Sequence, residues 1–208
     1  MTGSQTNDQI LTRHPEKIFI PLLEHIELVF LTLIISVAIA SVLTLICLRN
    51  ERLSLWLQQL LGVVYSIPSL ALFAILIPVT GLGRTTAVIA LTAYNQYLLL
   101  RNFTTGLKEV DPAVTDAAKG IGMTWLQVLT KVQIPLARRA LFAGIRLAVV
   151  STIGIGTIAA SINAGGLGTL LFDGLRTMNI ARILWGSILS AGLAIVTNAL
   201  LKAAEERL

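Results

Sequence analysis

Apolar residues along this chain neither alternate nor recur once per helical turn. They gather into runs long enough to fill a bilayer, and the polar positions fall between the runs. Five runs stand out, at about residues 28–48, 53–79, 85–100, 140–162 and 183–201. About 20 consecutive apolar residues in a helix cross a hydrocarbon core roughly 30 Å thick, so each run predicts a membrane-spanning helix. The third is short, with about 16 residues and roughly 24 Å of helix, and is expected to continue through Arg101 and Asn102 with Arg101 reaching to the interface. The pattern predicts an all-α membrane protein of about five transmembrane helices.

Composition agrees. Of 208 residues, 55% are hydrophobic and only 13% are charged, against about 25% charged in an ordinary soluble domain. A net charge of +5 would suit nucleic acid, but the cations cluster between the apolar runs, as they do when Lys and Arg hold one side of a bilayer. The expected surroundings are lipid, with no nucleic-acid partner. With the N-terminus outside and the C-terminus in the cytoplasm, 11 of the 16 Lys and Arg residues lie inside and 5 outside. The opposite orientation inverts that bias. Cys47 is the single cysteine, so no intrachain disulfide, and no multi-cysteine or other metal site, is expected. No cleavable signal peptide is expected either, because the first apolar run starts too late and runs too long. Residues 1–25 read as an extracytoplasmic or interfacial segment broken at Pro21, or as a disordered start followed by a helical turn. Residues 26–208 read as one transmembrane domain.

The polar stretch at about 101–139 lies on the cytoplasmic side in this orientation and is expected to be folded. Asp111 is suited to cap a helix and Pro112 to its first position, where a missing N–H costs nothing. Gly120 and Gly122 can end that helix in left-handed backbone. Thr124 and Gln127 then form a capping box for a second helix, with Trp125, Val128, Leu129 and Val132 as its apolar stripe. Pro135 is expected to end it. Such a helix pair could simply lie on the membrane surface. Alternatively, the small, mildly acidic surface of Asp116, Ala117 and Ala118 is a docking shape, since small residues let another backbone come close.

The order Asp116-Ala117-Ala118, three residues, Gly122, nine residues, then Val132, Gln133, Ile134, Pro135 resembles the EAA loop of bacterial ABC importer permeases. The spacing matches throughout; the departures are Asp for Glu at 116, Val for Ile at 132 and Ile for Leu at 134. Further stretches, SIPSLALFAILIP from Ser66, LRNFTTGLKEVDPA from Leu100, AGIR from Ala143 and AGGLG from Ala164, are similar to permeases of glycine betaine, carnitine and choline uptake systems. The third run departs from that pattern, with Asn95 and Gln96 where apolar residues are expected. The resemblance implies a type I importer permease fold, and a loop (Asp116, Ala117, Ala118, Gly120, Gly122, Met123, Thr124 and Pro135) that docks in a groove of an ATP-hydrolysing subunit. It also implies a second permease copy or a related chain, and an external substrate-binding protein. The sequence has no G-x-x-x-x-G-K-[ST] loop, so ATP and Mg²⁺ would belong to the partner ATPase and this chain would hold no cofactor.

Other residues have two readings each. Pro68, within Tyr65-Ser66-Ile67-Pro68-Ser69, is expected to kink the second span, and the kink serves either a translocation pathway or packing. Tyr94, Asn95, Gln96 and Tyr97 place polar and aromatic groups inside the third. They either line an aqueous path, where tyrosine faces attract a quaternary ammonium, or hydrogen-bond between helices. Gly144, Ala148, Thr152, Gly156 and Ala160 fall four apart and predict a close-packing face, within the bundle or against a second subunit. Arg146 is expected to snorkel toward the cytoplasm, and the 164–168 turn to form a gate or binding-protein contact outside. Enzyme chemistry is not expected: the two histidines, His14 and His25, belong to no hydrolase or metalloprotease motif.

The function expected is that of the permease subunit of an ATP-driven importer for osmoprotectants such as glycine betaine, carnitine or choline. The alternatives are an importer of another small solute such as an amino acid, an ion-coupled secondary transporter, or a membrane scaffold. The absence of a visible internal repeat, and of charge deep in the runs, speaks against the ion-coupled reading.

Overall fold

The first helix, α1, covers Glu16–Arg49, 34 residues or about 51 Å of length. Glu16 in its first turn and Arg49 in its last both complement the helix dipole. This computed structural model describes residues 16–207, so the expectation for residues 1–15 lies outside the described residues. Pro21 does not break α1. It lies near the helix start, where the forgone bond and the ring fall on a first turn that is free to adjust. Asn50, in extended backbone, ends α1 and caps the next helix by accepting the Leu53 N–H at 3.1 Å.

After it come α2 (Glu51–Ser66), α3 (Ser69–Thr80), α4 (Arg84–Lys108), α5 (Pro112–Gly120) and α6 (Trp125–Val128). A π turn (Leu129–Gln133), α7 (Ile134–Ile158), a 3₁₀ turn (Ala159–Ile162), α8 (Gly168–Arg176) and α9 (Ile180–Arg207) complete the order. The second expected span is not one kinked helix but two, α2 and α3, bent by 98°. Ile67 and Pro68 both adopt extended backbone, with ψ of 131° and 137°. Residue 67 is barred from helical angles by the proline ring, and Pro68 has no N–H to carry the ladder across.

By length and hydropathy, α1, the track Trp125–Ile162 and α9 can each cross a membrane, and the bent α2–α3 pair makes a fourth if it counts as one span. The third expected span, α4, is too polar to pass that test, yet it is the centre of the bundle. Of its 25 residues, 14 are buried, and it packs against α1, α2, α3 and α7. Its polar groups meet other helices, which is where intramembrane polar groups belong. Three apolar layers follow one another along it: Leu28, Phe73 and Leu91, then Ala40, Leu99 and Ala148, then Leu107, Leu129 and Ala137.

The small-residue face of α7 packs inside the chain. A Cβ on Gly144 would stand 2.7 Å from that of Asn102, and one on Gly156 would stand 3.2 Å from the His25 ring. Ala148 between them is fully buried. Gly106 makes the reciprocal approach from α4, where any side chain would collide with the Ala140 methyl. Farther along α7, Arg146 pairs with Glu205 of α9.

Candidate functional site

The loop between α4 and α7 is built as two capped helices. Asp111 accepts the Ala113 N–H at 2.8 Å, and Pro112 follows in the first turn of α5. Thr115 and Ala118 face inward, whereas Asp116, Ala117 and Gly120 are exposed. Asp116 is held by Lys119 at 2.9 Å on the outer face. Helix α5 ends in a Schellman arrangement: Met123 N–H reaches the Ala118 carbonyl at 3.2 Å, and Gly122 N–H reaches that of Lys119 at 2.9 Å. Gly122 is the residue with positive φ, +89°, that this arrangement requires. Space is open where side chains at Gly120 and Gly122 would stand, and Ile121 projects beside them, 79% exposed. The result is an outward saddle of small residues with one apolar knob.

The capping box is present. Thr124 N–H donates to Gln127 Oε1 at 2.8 Å, and Gln127 N–H donates back to the Thr124 hydroxyl at 3.4 Å. Val128 and Leu129 of the predicted stripe are buried and Val132 is half-buried. Trp125 is partly exposed, with the Arg49 guanidinium 4.7 Å from its ring centroid. That contact fastens the end of α1 to the loop, while Gln133 donates to the Leu107 carbonyl at 3.4 Å and fastens the end of α4.

Pro135 does not end the second loop helix. In the π turn the Ile134 N–H bonds to the Leu129 carbonyl, five residues back. The widened turn relieves the clash between a proline ring and the carbonyl four residues before it. Pro135 then occupies the first turn of α7, where its missing N–H is tolerated. Helix therefore continues from Trp125, three residues past Gly122, to Ile162, 38 residues in all.

The polar residues of α4 separate into two groups. Asn95 is buried; its Nδ2 donates to Thr152 Oγ1 at 2.8 Å and to Ser36 Oγ at 3.2 Å, joining α4 to α7 and α1. Gln96 Nε2 donates to the Ser36 carbonyl at 3.2 Å, and its buried Oε1 has no partner among the described residues. Tyr94 faces the α2–α3 corner, where its hydroxyl donates to the Ile67 carbonyl at 2.7 Å. There Tyr65 meets Tyr94 edge-on at 5.8 Å and stacks with Tyr97 at 5.1 Å. Tyr65 and Ser69 are half-buried, and Ser66 and Pro68 lie exposed at the same corner. The residues considered for a pathway thus do not converge: Asn95 and Gln96 tie helices together, whereas Tyr65, Ser66, Pro68, Ser69, Tyr94 and Tyr97 gather at the corner.

The turn at 164–168 is pinned to α1. Glu24 Oε2 accepts the Gly166 N–H at 2.9 Å, across 142 residues of sequence. A Cβ on Gly166 would lie 2.8 Å from His25 Nδ1. Neither this clasp nor the Arg49–Trp125 contact has a local sequence signal, because each joins segments far apart in the chain.

Residues 32–208 match the family described as "Binding-protein-dependent transport system inner membrane component". The chain is 38% identical over 169 residues to the carnitine transport permease protein OpuCD of Listeria monocytogenes, covering 81% of this chain and 76% of that one. It is 34% identical over 208 residues to the glycine betaine/carnitine/choline transport system permease protein OpuCB of Bacillus subtilis, covering 100% and 92%. Its fold matches an inward-facing structure of the MetNI methionine ABC transporter with a TM-score of 0.79 at 19% identity, covering 91% and 93%. The chain belongs to the family of inner membrane components of binding-protein-dependent transport systems.

Proposed function

We propose that this chain is the membrane-spanning permease subunit of an ATP-driven importer of quaternary-ammonium osmoprotectants of the glycine betaine, carnitine and choline type. The substrate class rests on relatives named for these solutes. The observation that carries the mechanism is the helical track that starts at Trp125, just past the saddle, and runs through the π turn into α7. ATP and Mg²⁺ belong to a separate ATPase subunit, which docks on Asp116, Ala117, Gly120, Ile121 and Gly122. Met123 and Thr124 shape the turn behind that surface, and Pro135 sits where the track enters α7. Closure of an ATPase pair pushes the saddle; the push passes along the track and, through Arg49 and Gln133, to the ends of α1 and α4. The bundle tilts and exposes its pathway to the opposite side.

The pathway runs past the α2–α3 corner, between this chain and a second permease copy. The exposed Ser66 and Pro68 lie there beside the Tyr65 ring, which stacks on Tyr97, and an aromatic face attracts a quaternary ammonium. An external binding protein delivers the solute on the side of the 164–168 turn. The loop lies in the cytoplasm and the C-terminus with it, as the distribution of Lys and Arg favours.

The deciding experiment is ATP hydrolysis by the permease reconstituted with its ATPase and binding protein, with and without glycine betaine. Stimulation by the loaded binding protein is expected. An assembled complex indifferent to betaine would move the substrate to another solute. Gly122→Glu should abolish transport and coupled hydrolysis while membrane insertion persists, and Gly122→Ala should lose only about 1 kcal/mol to left-handed backbone strain. Normal transport by Gly122→Glu would overturn the docking assignment.

A further inference from the structure

A groove of about 640 Å³ runs beside the loop between α1, α4 and the track that enters α7. Val37 and Leu45 line its α1 wall, Phe103 its floor, and Ile134 and Phe142 the wall opposite. Hydroxyl groups in the lining are already satisfied within their own helices. Ser41 donates to the Val37 carbonyl and Thr44 to that of Ala40, each at 2.7 Å, and Thr130 donates to Leu126 at 2.8 Å. What the groove offers an occupant is therefore hydrocarbon, plus one charge. Arg138 lines it one turn into α7 and has no ion-pair or hydrogen-bond partner among the described residues.

The depth of the groove is informative. Leu45 and Val37 precede Arg49, at the end of α1, by 4 and 12 residues, or about 6 and 18 Å along the helix. Half of a roughly 30 Å hydrocarbon core is about 15 Å. With Arg49 at the interface, the groove spans the acyl depth of one leaflet. Its guanidinium lies on the side of the loop, where headgroups are.

We propose that this groove binds an anionic phospholipid, an acyl chain between α1 and α7 and the phosphate on Arg138. Guanidinium is the side chain best matched to phosphate, through paired and charge-assisted hydrogen bonds. With their protons already donated, the hydroxyls have none to give an occupant's carbonyl, so the lining suits an acyl chain, which asks for no hydrogen bond, better than an extended protein segment. The proposal rests on the loop lying at a membrane face, and holds for either face.

The test uses the full chain, purified from bilayers of equal phosphatidylglycerol and phosphatidylcholine, with retained lipid counted by native mass spectrometry. A single phosphatidylglycerol should be retained in about tenfold excess over phosphatidylcholine, because both lipids offer a phosphate but the choline cation beside it opposes the charge of Arg138. Arg138→Gln should erase the excess and Arg138→Lys should keep most of it. Leu45→Trp, which narrows the groove from a partly exposed position, should lower retention of both lipids. Equal retention by the unmodified chain, or a preference that survives Arg138→Gln, overturns the proposal. So does loss of the bound lipid when the ATPase or a second permease copy assembles, since the groove would then belong to a protein partner. No solute enters this measurement, so a failed betaine response leaves its outcome standing.

Discussion

Asn95 is the polar residue with most to distinguish between packing and passage. Its amide joins Ser36 of α1 and Thr152 of α7 to α4, at a site with no room for water or solute beside it, since Asn95 is 1% exposed. Interhelical hydrogen bonds in membrane proteins average about 0.6 kcal/mol and reach about 1.7. Asn95→Leu, which keeps the branching but is larger and cannot hydrogen-bond, should therefore destabilise the chain by at least about 1–2 kcal/mol, read by denaturant unfolding in detergent, because the bonds to Ser36 and Thr152 go at once. The folded fraction should still transport. Unchanged stability with transport lost would move Asn95 to the pathway. Thr152 retains a bond to the Ala148 carbonyl at 2.7 Å, so its hydroxyl is not orphaned.

The π turn is the element through which the proposed docking surface and the bundle are joined. One extra residue in a helical turn changes the rotational phase of everything beyond it by about 100°. Deleting Thr130, an exposed residue of that turn whose hydroxyl bonds only within its own helix, should close the widened turn and bring back the Pro135 ring clash that it relieves, at a cost of about 3 kcal/mol or a kink. The saddle would then point about 100° away from its present direction relative to α7. The variant should insert and bind its ATPase weakly, with basal hydrolysis no longer raised by loaded binding protein. Coupling that survives the deletion would mean that the loop acts through its contacts with α1 and α4 instead. Two prolines illustrate how far local pattern reaches. At Pro68 a kink within one span is expected, and the helix instead breaks, with Ile67 and Pro68 both extended and the two halves bent by 98°. At Pro135 an end to the helix is expected, and instead a widened turn makes room for the ring and puts it in the first turn of α7. Steric rules say what a proline excludes, and the surrounding packing selects among the conformations left.

For the molecule as a whole, orientation has a direct test. In a Cys47→Ser background, Ile121→Cys places a thiol on the exposed tip of the loop, at a position 79% accessible. An impermeant maleimide should label it in inside-out vesicles and not in right-side-out ones, and bound ATPase should protect it. Labelling from the outside would reverse the topology.

Membrane residence, the five apolar runs, both loop caps and the spacing of the loop segment proposed to dock follow from the order of residues alone. Hydropathy, capping and turn preferences act over a few neighbouring positions, and each is written in the letters that carry it. The direction in which groups face was not open to that kind of reading. Asn95 and Gln96 could have faced a channel, and Gly144, Ala148 and Gly156 a second subunit, until three helices closed around them. The Glu24–Gly166 clasp, the stacking of Arg49 on Trp125 and the pairing of Arg146 with Glu205 arise for the same reason. Each partner is chosen by which helix faces lie together, and that choice is made by the summed burial of the bundle, a property no short stretch of the chain contains.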